Sequence, residues 1–175
     1  MLKLVYGGSA CGKSSYAEDC IMKFENLPRY YLATMQVFGE EERRKVARHQ
    51  KLRDGKGFTV LECPQNVGEA AACFRGKNAA VLLECMSNLV ANEMFQSETQ
   101  KGADEVASKV ADDVFMLEKA AEALIVVSNS VFEDGMEYSE STMQYIKALG
   151  MVNCLLAEHA AEVVEVVAGI PVKIK

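Results

Sequence analysis

The sequence has no apolar run close to the roughly 20 residues that a membrane-spanning helix requires. Its first residues enter an apolar stretch that carries a single lysine, so no secretory signal peptide is expected. Internal repeats, low-complexity segments and obvious linkers are also missing. With 175 residues and 50% hydrophobic content, the chain is predicted to form one cytoplasmic domain, residues 1–175, around a substantial core.

The chain has fewer basic than acidic residues: 19 Lys and Arg against 25 Asp and Glu, which gives a net charge of −6. The phosphate backbone of nucleic acids selects for an excess of cations, so nucleic-acid binding is not expected. Seven of these cations crowd one segment, which could attract a triphosphate. They are Arg43, Arg44, Lys45, Arg48, Lys51, Arg53 and Lys56.

The six cysteines have no paired spacing, and no C-x-x-C motif occurs. Their neighbours are typical of a hydrophobic core, which favours reduced thiols in the cytosol over disulfides or a metal site. The cysteines are Cys11, Cys20, Cys63, Cys73, Cys85 and Cys154.

Residues 7–14 match the phosphate-binding motif G-x4-G-K-[ST] at every defined position, directly after the apolar run Leu2–Tyr6. Glycines allow successive backbone N–H groups to wrap around a polyphosphate, the lysine reaches the β- and γ-phosphates, and the serine hydroxyl is placed to bind Mg²⁺. The alternative is a glycine-rich turn that only caps a helix. A strand-like run before the motif and a helix-like segment after it favour nucleoside-triphosphate binding. The loop consists of Gly7, Gly8, Ser9, Ala10, Cys11, Gly12, Lys13 and Ser14.

Short apolar runs alternate with longer segments of helical periodicity, which is typical of a mostly parallel α/β fold. The apolar runs are unbroken, so helices are expected on both faces of the sheet. Residues 168–171 are too few for a parallel crossover, so the chain is predicted to end in an antiparallel hairpin at a sheet edge. The strand order stays open. Strands are predicted at Leu2–Tyr6, Arg29–Ala33, Phe58–Leu61, Ala80–Leu83, Ala123–Val127, Val163–Val167 and Val172–Ile174, and helices at Ser14–Phe24, Glu40–Arg53, Val67–Phe74, Asn88–Phe95, Ala103–Ala121 and Ser139–Glu158.

Ligands of a parallel sheet bind beyond the carboxyl ends of its strands, which points to further candidate residues. Glu84 ends an apolar strand, where a phosphate-loop enzyme places the carboxylate that holds Mg²⁺ or its water shell. Capping of the helix predicted near Asn88 is the alternative role for Glu84. The segments after two other strands are Ala33, Thr34 and Met35, and Ser128 and Asn129.

His49 lies in the cationic segment, which has a helical pattern. Lys45, His49 and Arg53 are spaced four apart and share one helix face. Two flanking cations disfavour protonation of the imidazole and keep it a neutral nucleophile. From the residues alone, a surface histidine on a solvated helix is the simpler interpretation. The second histidine, His159, is predicted to be structural.

Further elements, taken in order, resemble one family nearly end to end. This is the bifunctional adenosylcobinamide kinase / adenosylcobinamide-phosphate guanylyltransferase family of cobalamin biosynthesis. The phosphate loop is generic, but two elements are more particular: Lys45-Val46-x-x-His49, where the family has R-I-x-x-H, and the tail at 166–175. The other matching positions are Tyr31-Leu32-Ala33-Thr34, Arg53, Phe58, Glu62, Pro64, Leu82-Leu83-Glu84-Cys85, Asn92, Val127-Ser128-Asn129, Gly150 and Asn153.

The resemblance implies a RecA-type P-loop NTPase fold and two reactions. Family members phosphorylate the aminopropanol hydroxyl of adenosylcobinamide with a nucleoside triphosphate, GTP or ATP. They then transfer GMP from GTP onto that phosphate by way of a histidine, which matches His49 here, and release pyrophosphate. A neutral imidazole that attacks the α-phosphate splits one displacement into two. The family also assembles as trimers, so a homotrimer with sites near subunit boundaries is implied.

The resemblance also assigns the residues around the nucleotide. Lys13 would act in catalysis beside His49, and Ser14 and Glu84 would hold Mg²⁺. The phosphate loop at 7–14 would hold the triphosphate. The other residues at the nucleotide would be Ala33, Thr34, Met35, Gln50, Lys51, Leu52, Arg53, Glu62 and Glu84.

One segment departs from the family pattern. After Asn129 the family has Glu, a glycine-rich loop and an Arg-rich helix, whereas this chain has Ser130 and retains only Lys147 as a basic residue. The nucleophile and its cationic face are intact, so guanylyl transfer is expected to survive. Two alternatives stay open: a small-molecule P-loop kinase in which His49 is incidental, and a nucleotide-binding regulatory protein without turnover.

Overall fold

The computed structural model describes residues 1–36, 39, 55–96, 100–131, 135–136 and 138–175. The helix predicted at 40–53 lies outside these residues. The strands are β1 (Leu2–Tyr6), β2 (Arg29–Ala33), β3 (Phe58–Glu62), β4 (Ala80–Glu84), β5 (Ala123–Val127), β6 (Glu162–Val167) and β7 (Ile170–Lys173). The α-helices are α1 (Lys13–Met22), α2 (Ala71–Phe74, entered through a 3-10 turn at Val67–Ala70), α3 (Met86–Phe95), α4 (Ala103–Ala120) and α5 (Glu140–His159).

These strands form one sheet in the order β3-β2-β4-β5-β1-β6-β7. All neighbouring strands in the sheet are parallel except β6 and β7, which are antiparallel. The predicted mostly parallel α/β architecture and the antiparallel hairpin at a sheet edge are therefore confirmed. The order places β1 between β5 and β6, so the phosphate loop that follows β1 opens near the middle of the carboxyl edge.

The hairpin turn is shorter than predicted. Strand β7 begins at Ile170 rather than Val172, and only Ala168 and Gly169 connect it to β6. Both residues have positive φ angles, 49° and 83°, as a two-residue turn that continues the strand twist requires. Pro171 lies within β7 opposite Val166. A proline is tolerated there because an edge strand has free N–H positions on its outer side.

Helices cover both faces of the sheet, as predicted. Successive strand side chains point to opposite faces, so Leu4 and Val5 belong to different core clusters. Helix α1 packs on the face of Val5, while α3, α4 and α5 pack on the face of Leu4. The edge strands are the least covered: β7 is exposed along its length, and Val60 in β3 is 43% exposed.

The two long helices follow from their sequences. In α4, Val106, Val110, Val114 and Leu117 are buried at helical spacing. Acidic residues in its first turn interact favourably with the positive end of the helix dipole. Helix α5 begins after Ser139, whose hydroxyl accepts a hydrogen bond from the backbone N–H of Thr142 at 3.4 Å. Neither these helices nor any other in the described part of the chain is long and apolar enough to cross a membrane.

Candidate active site at the phosphate-binding loop

The backbone of the phosphate loop requires its glycines at two points. Gly7 has a φ of 156°, and a Cβ there would lie 2.5 Å from the carbonyl oxygen of Val166. Gly12 has a φ of 94°, and its Cβ would lie 3.3 Å from the Cα of Gly169. The hairpin turn also donates a hydrogen bond, from Gly169 N–H to the carbonyl of Cys11 at 2.8 Å. The loop is therefore held against the β6–β7 turn, where side chains would not fit.

Lys13 is the first residue of α1 and is only 8% exposed. Its ammonium group donates a hydrogen bond to the carbonyl oxygen of Gly8 at 3.0 Å, across the loop. A buried ammonium held by one neutral carbonyl keeps most of its charge available for an anion. The position is the one that the loop motif predicts for contact with β- and γ-phosphates.

Glu84 is the last residue of β4 and reaches the next residue of the loop. Its Oε1 accepts a hydrogen bond from the Ser14 hydroxyl, and its Oε2 accepts one from the Tyr31 hydroxyl at 2.9 Å. Helix α3, which follows, has Cys85 rather than Glu84 at its N-cap position and no side-chain cap. Glu84 thus faces the phosphate loop instead of capping a helix.

Three of the candidate residues lie in one row across neighbouring strands. Ala33 in β2 pairs with Glu84 in β4 on one side and with Glu62 in β3 on the other. The parallel register therefore brings these three residues together at the carboxyl edge. Glu62 is exposed at the end of the outer strand.

The segment after β2 is fixed by Thr34, which is fully buried. Its hydroxyl accepts a hydrogen bond from Cys85 N–H at 2.8 Å and donates one to the carbonyl of Cys85 at 2.9 Å. The Asn92 amide donates to the carbonyls of Thr34 and Pro64 at 2.8 and 2.9 Å. Thr34 thereby ties the end of β2 to the end of β4, and Asn92 joins the segments that follow β2 and β3.

The residues after β5 are also tied down. The Asn129 amide donates to the Ser87 hydroxyl at 2.6 Å, and the Ser128 hydroxyl donates to Oδ1 of Asn153 at 2.5 Å. Tyr145 in α5 donates to the carbonyl of Ser87 at 3.3 Å, and burial raises the pKa of its phenol to about 12. The phenol is therefore neutral throughout the physiological range and serves as a donor.

A magnesium ion fits the oxygen atoms present at this edge. Ser14 and Glu84 offer a hydroxyl and a carboxylate in direct contact, and Mg²⁺ prefers oxygen ligands completed by phosphates and waters. Mg²⁺ does not usually require a site built entirely from protein ligands. Within the described ranges, no group of three or more His, Cys, Asp or Glu residues could hold a metal, and the six cysteines are free thiols.

A family model settles where this chain belongs. The model described as cobinamide kinase / cobinamide phosphate guanyltransferase matches residues 3–174. The chain belongs to this family. The resemblance seen in the sequence is confirmed, and with it the role as a kinase and guanylyltransferase of cobalamin biosynthesis.

Two curated relatives support the assignment. The bifunctional adenosylcobalamin biosynthesis protein CobU of Escherichia coli (strain K12) is 30% identical over 184 aligned residues. Its counterpart from Salmonella typhimurium (strain LT2) is 27% identical over 184 residues. Both alignments cover 100% of this chain and 100% of the relative.

Solved structures support the fold. The flagellar accessory protein FlaH from Methanocaldococcus jannaschii matches with a TM-score of 0.51 and 14% identity, over 99% of this chain and 77% of that chain. A second solved structure, an ATPase domain, matches with a TM-score of 0.57 and 12% identity, over 94% of this chain and 68% of that chain. At such low identity these likenesses concern the fold alone, and they agree with the mostly parallel α/β sheet of this chain.

The structure brings some of the predicted site residues together. The loop at 7–14, Glu84, Ala33–Met35 and Glu62 lie at the same carboxyl edge of the sheet. The predicted nucleophile and its neighbours, His49, Gln50, Lys51, Leu52 and Arg53, lie outside the described residues, and their roles stay predictions. His159 is well away from this edge, at the end of α5, where it hydrogen bonds to Glu118 at 2.6 Å and packs on Phe115.

Sequence reasoning gave Tyr31 no role of its own, although it donates to Glu84. In the sequence, Tyr31 stands out only as the first residue of the matched Tyr31-Leu32-Ala33-Thr34 element. Alternation along β2 places Tyr31 on the face of α1, and the register places it opposite Leu82, two residues before Glu84.

Proposed function

We propose that both reactions of this family run at the phosphate loop of this chain. A nucleoside triphosphate phosphorylates the hydroxyl of adenosylcobinamide, and GTP then supplies GMP to the resulting phosphate. The observation that carries the proposal is the arrangement of the buried Lys13 ammonium beside the Ser14–Glu84 pair. These are the groups that phosphoryl and nucleotidyl transfer require, since such reactions depend on positioning and on neutralising phosphate charge.

Ser14 and Glu84 are the residues that would hold Mg²⁺ with the triphosphate. When bound, the ion neutralises charge on the phosphate oxygens and helps to orient them. Lys13 contacts the same phosphates from the loop side. Tyr31 keeps one oxygen of Glu84 hydrogen bonded, so the carboxylate is oriented before any nucleotide arrives.

The nucleoside of GTP is proposed to lie along the row formed by Ala33, Glu62 and Glu84. Support comes from the register that brings the three residues together at the edge next to the phosphate loop. Residues Gln50–Arg53 are proposed to complete this side of the nucleotide site.

His49 is proposed as the nucleophile of the guanylyl step. An imidazole nitrogen forms a bond to the α-phosphorus of GTP, the bond from that phosphorus to the bridging oxygen breaks, and pyrophosphate leaves. A phosphate oxygen of adenosylcobinamide phosphate then attacks the same phosphorus and releases the imidazole. The product is adenosylcobinamide-GDP. The role of His49 is supported by the sequence match at Lys45-Val46-x-x-His49, which lies within the range that the family model matches.

The test is incubation with Mg²⁺ and GTP labelled in the α-phosphate, followed by denaturation and measurement of label on the chain. We expect an acid-labile, base-stable adduct on the wild-type protein. The His49→Ala variant should lose the adduct while its affinity for GTP changes little. Equal loss of adduct and of GTP affinity would indicate a structural histidine and contradict the proposal.

Lys13→Ala provides the matched comparison. Removing a charged donor to phosphate should weaken GTP binding by about 10- to 100-fold, equivalent to roughly 1.5–3 kcal/mol, and reduce the adduct accordingly. Lys23→Ala, at the C-terminal end of α1, serves as the control for loss of a lysine. Isothermal titration calorimetry measures the GTP affinity of the wild type and of both variants. Unchanged affinity of Lys13→Ala would refute the role of the loop.

A homotrimer remains a proposal drawn from the sequence resemblance, and the cytoplasm remains the expected compartment.

A further inference from the structure

A cavity of about 690 Å³ lies beside the phosphate loop, on the side away from Glu84. Strands β5 and β6 flank β1, and Glu84 lies beyond β5 while the cavity is walled by β6. Its other walls come from the loop, from the residues after β5 and from the first half of α5. Small-molecule sites commonly have this volume. The lining includes Gly8, Cys11, Ser130, Thr142, Tyr145 and Glu165.

Glu165 gives this cavity a specific chemical requirement. It is half-buried in β6, in register with Tyr6, which directly precedes the phosphate loop. Within the described part of the chain, its carboxylate has no hydrogen bond or ion pair. Glu84, by contrast, accepts from two hydroxyls. A sheltered carboxylate without donors favours a ligand that brings N–H or O–H groups to it.

The rest of the lining is neutral and partly apolar. Ser130 and Thr142 contribute hydroxyls, and the ring of Tyr145 forms a wall. The rim is apolar and open: Val131 is 36% exposed and Val167 is 51% exposed. A cavity with polar groups inside and apolar side chains at its mouth suits the polar arm of a larger, partly apolar molecule.

The proposed position of the nucleoside indicates which substrate this cavity binds. In-line phosphoryl transfer needs the acceptor oxygen on the side of the γ-phosphorus opposite the leaving nucleotide. The nucleoside is proposed to lie on the β2–β3 side of the loop, beyond Glu84. The acceptor must then approach from the β6 side, where the cavity lies.

We propose that this cavity binds the hydroxyl-bearing arm of the corrinoid acceptor, with Glu165 accepting hydrogen bonds from its amide N–H groups. The corrinoid carries carboxamide arms on an apolar macrocycle, which matches donors for Glu165 inside and apolar contact at the rim. The macrocycle itself is too large for the cavity and lies outside, against the rim. This inference rests on the proposed function, since it takes the corrinoid as the acceptor.

The test uses two variants of the cavity. Thr142→Trp fills it from α5, and Glu165→Gln removes its charge at constant size. Binding of adenosylcobinamide is followed by equilibrium dialysis with detection of its visible absorption, and the kinase step gives KM for both substrates. We expect each variant to weaken corrinoid binding and raise its KM by about tenfold or more, with KM for GTP unchanged.

Met143→Trp is the matched control, because Met143 is the next residue of α5, is 49% exposed and does not line the cavity. Label transfer from GTP to the chain needs no corrinoid, so its retention shows that each variant is folded. Unchanged corrinoid binding in both variants would overturn the inference, and so would a selective rise in KM for GTP, which would identify a nucleoside pocket. Failure of the proposed function is distinguishable from failure of this inference. In that case the wild type would take up no label from GTP, regardless of the corrinoid binding measured for the cavity variants.

Discussion

At the scale of single residues, the site depends on a carboxylate that is held from two sides. Ser14 and Tyr31 each donate to one oxygen of Glu84, so both oxygens have a fixed direction. Loss of a group that orients a metal-binding side chain typically costs about 10- to 100-fold in metal affinity or activity. If Mg²⁺ takes the Ser14 hydroxyl as a ligand, as proposed, Tyr31 would still donate to Glu84 and hold it in place.

Tyr31→Phe tests this role. Loss of the phenol hydroxyl frees one oxygen of Glu84, and we expect the Mg²⁺ concentration for half-maximal label transfer to rise about tenfold. Tyr30→Phe is the control, because the Tyr30 ring points to the opposite face of the sheet and its hydroxyl accepts a long hydrogen bond from Lys77 at 3.4 Å. A Mg²⁺ titration of both variants gives the comparison. Equal requirements in Tyr31→Phe and wild type would contradict the role.

The same scale shows what a sequence can reveal about a site. Lys13, Ser14 and Glu84 were predictable because a loop motif and a strand-end position each carry their own signal. Tyr31 and Glu165 were not, because their contacts depend on which strand lies beside which. In the sequence, Glu165 is one charged residue in a Val-rich strand, with no pattern that indicates a role. The roles of His49 and its neighbours rest on the sequence, since they lie outside the described residues.

At the scale of elements, local periodicity predicted the described strands and helices to within about two residues at most ends. The differences are local. The segment Val67–Phe74 is a 3-10 turn followed by one α-helical turn, and Asn66 precedes it with a φ of 48°. Helix α3 starts at Met86, two residues before the predicted Asn88. Periodicity identifies an element well but identifies its ends poorly, since capping geometry decides them.

A buried acidic residue joins two helices in a way that periodicity could not indicate. Glu93 in α3 is 2% exposed, and its Oε1 accepts hydrogen bonds from Lys109 in α4 and from Asn66 N–H, each at 2.7 Å. Lys109 also contacts Asp113 at 3.0 Å. A buried carboxylate is costly unless it is paired, so Lys109 is the residue on which this contact depends.

Lys109→Met should therefore lower the free energy of unfolding by about 2 kcal/mol. The loss is smaller than for a fully buried pair because the Lys109 side chain is 31% exposed and Lys101 remains 3.8 Å from Glu93. Lys101→Met is the control and should cost much less, at most about 0.5 kcal/mol. Urea denaturation measures both. Equal losses in the two variants would show that the Glu93–Lys109 contact is not the important one.

The same contact makes a pH prediction. Burial by itself lowers the pKa of Lys109, but hydrogen bonds to Glu93 and Asp113 outweigh burial and raise the pKa above its usual 10.5. The ammonium form is thus favoured in the folded state. Its stabilisation is fully present below about pH 10.5 and is lost as pH rises through the raised value. The wild type and Lys109→Met should consequently converge in stability at strongly alkaline pH.

At the scale of the whole molecule, the strand order creates the site. Residues from β1, β2, β3 and β4 meet at one carboxyl edge, although β3 and β4 follow β1 by more than fifty residues in the chain. Parallel pairing is non-local, and no pattern within a strand specifies its neighbour. The class of fold was therefore predictable from alternating elements, whereas the order and the cavity beside β6 were not.

The same sheet leaves an apolar surface at its β7 edge. Three side chains at the end of the chain form this hairpin patch: Ile170, Val172 and Ile174, exposed by 65%, 43% and 56%. Residues 170 and 172 lie on one face of β7, and residue 174 continues the alternation just past its end. Clustered exposed apolar side chains are typical of protein–protein interfaces. The hairpin patch is therefore the surface that best supports the proposed homotrimer.

The double substitution Ile170→Lys and Val172→Lys should break that assembly. Two charges at the centre of an apolar interface would have to be buried without partners, which costs several kcal/mol and favours the separated chains. Met116→Lys removes an equally exposed apolar side chain, 48% exposed, from α4 and should leave the assembly intact. Light scattering after size exclusion gives the masses, with the wild type expected at three times the chain mass of 19.2 kDa. A wild-type monomer would refute the trimer itself, whereas a trimeric double variant would place the interface on another surface.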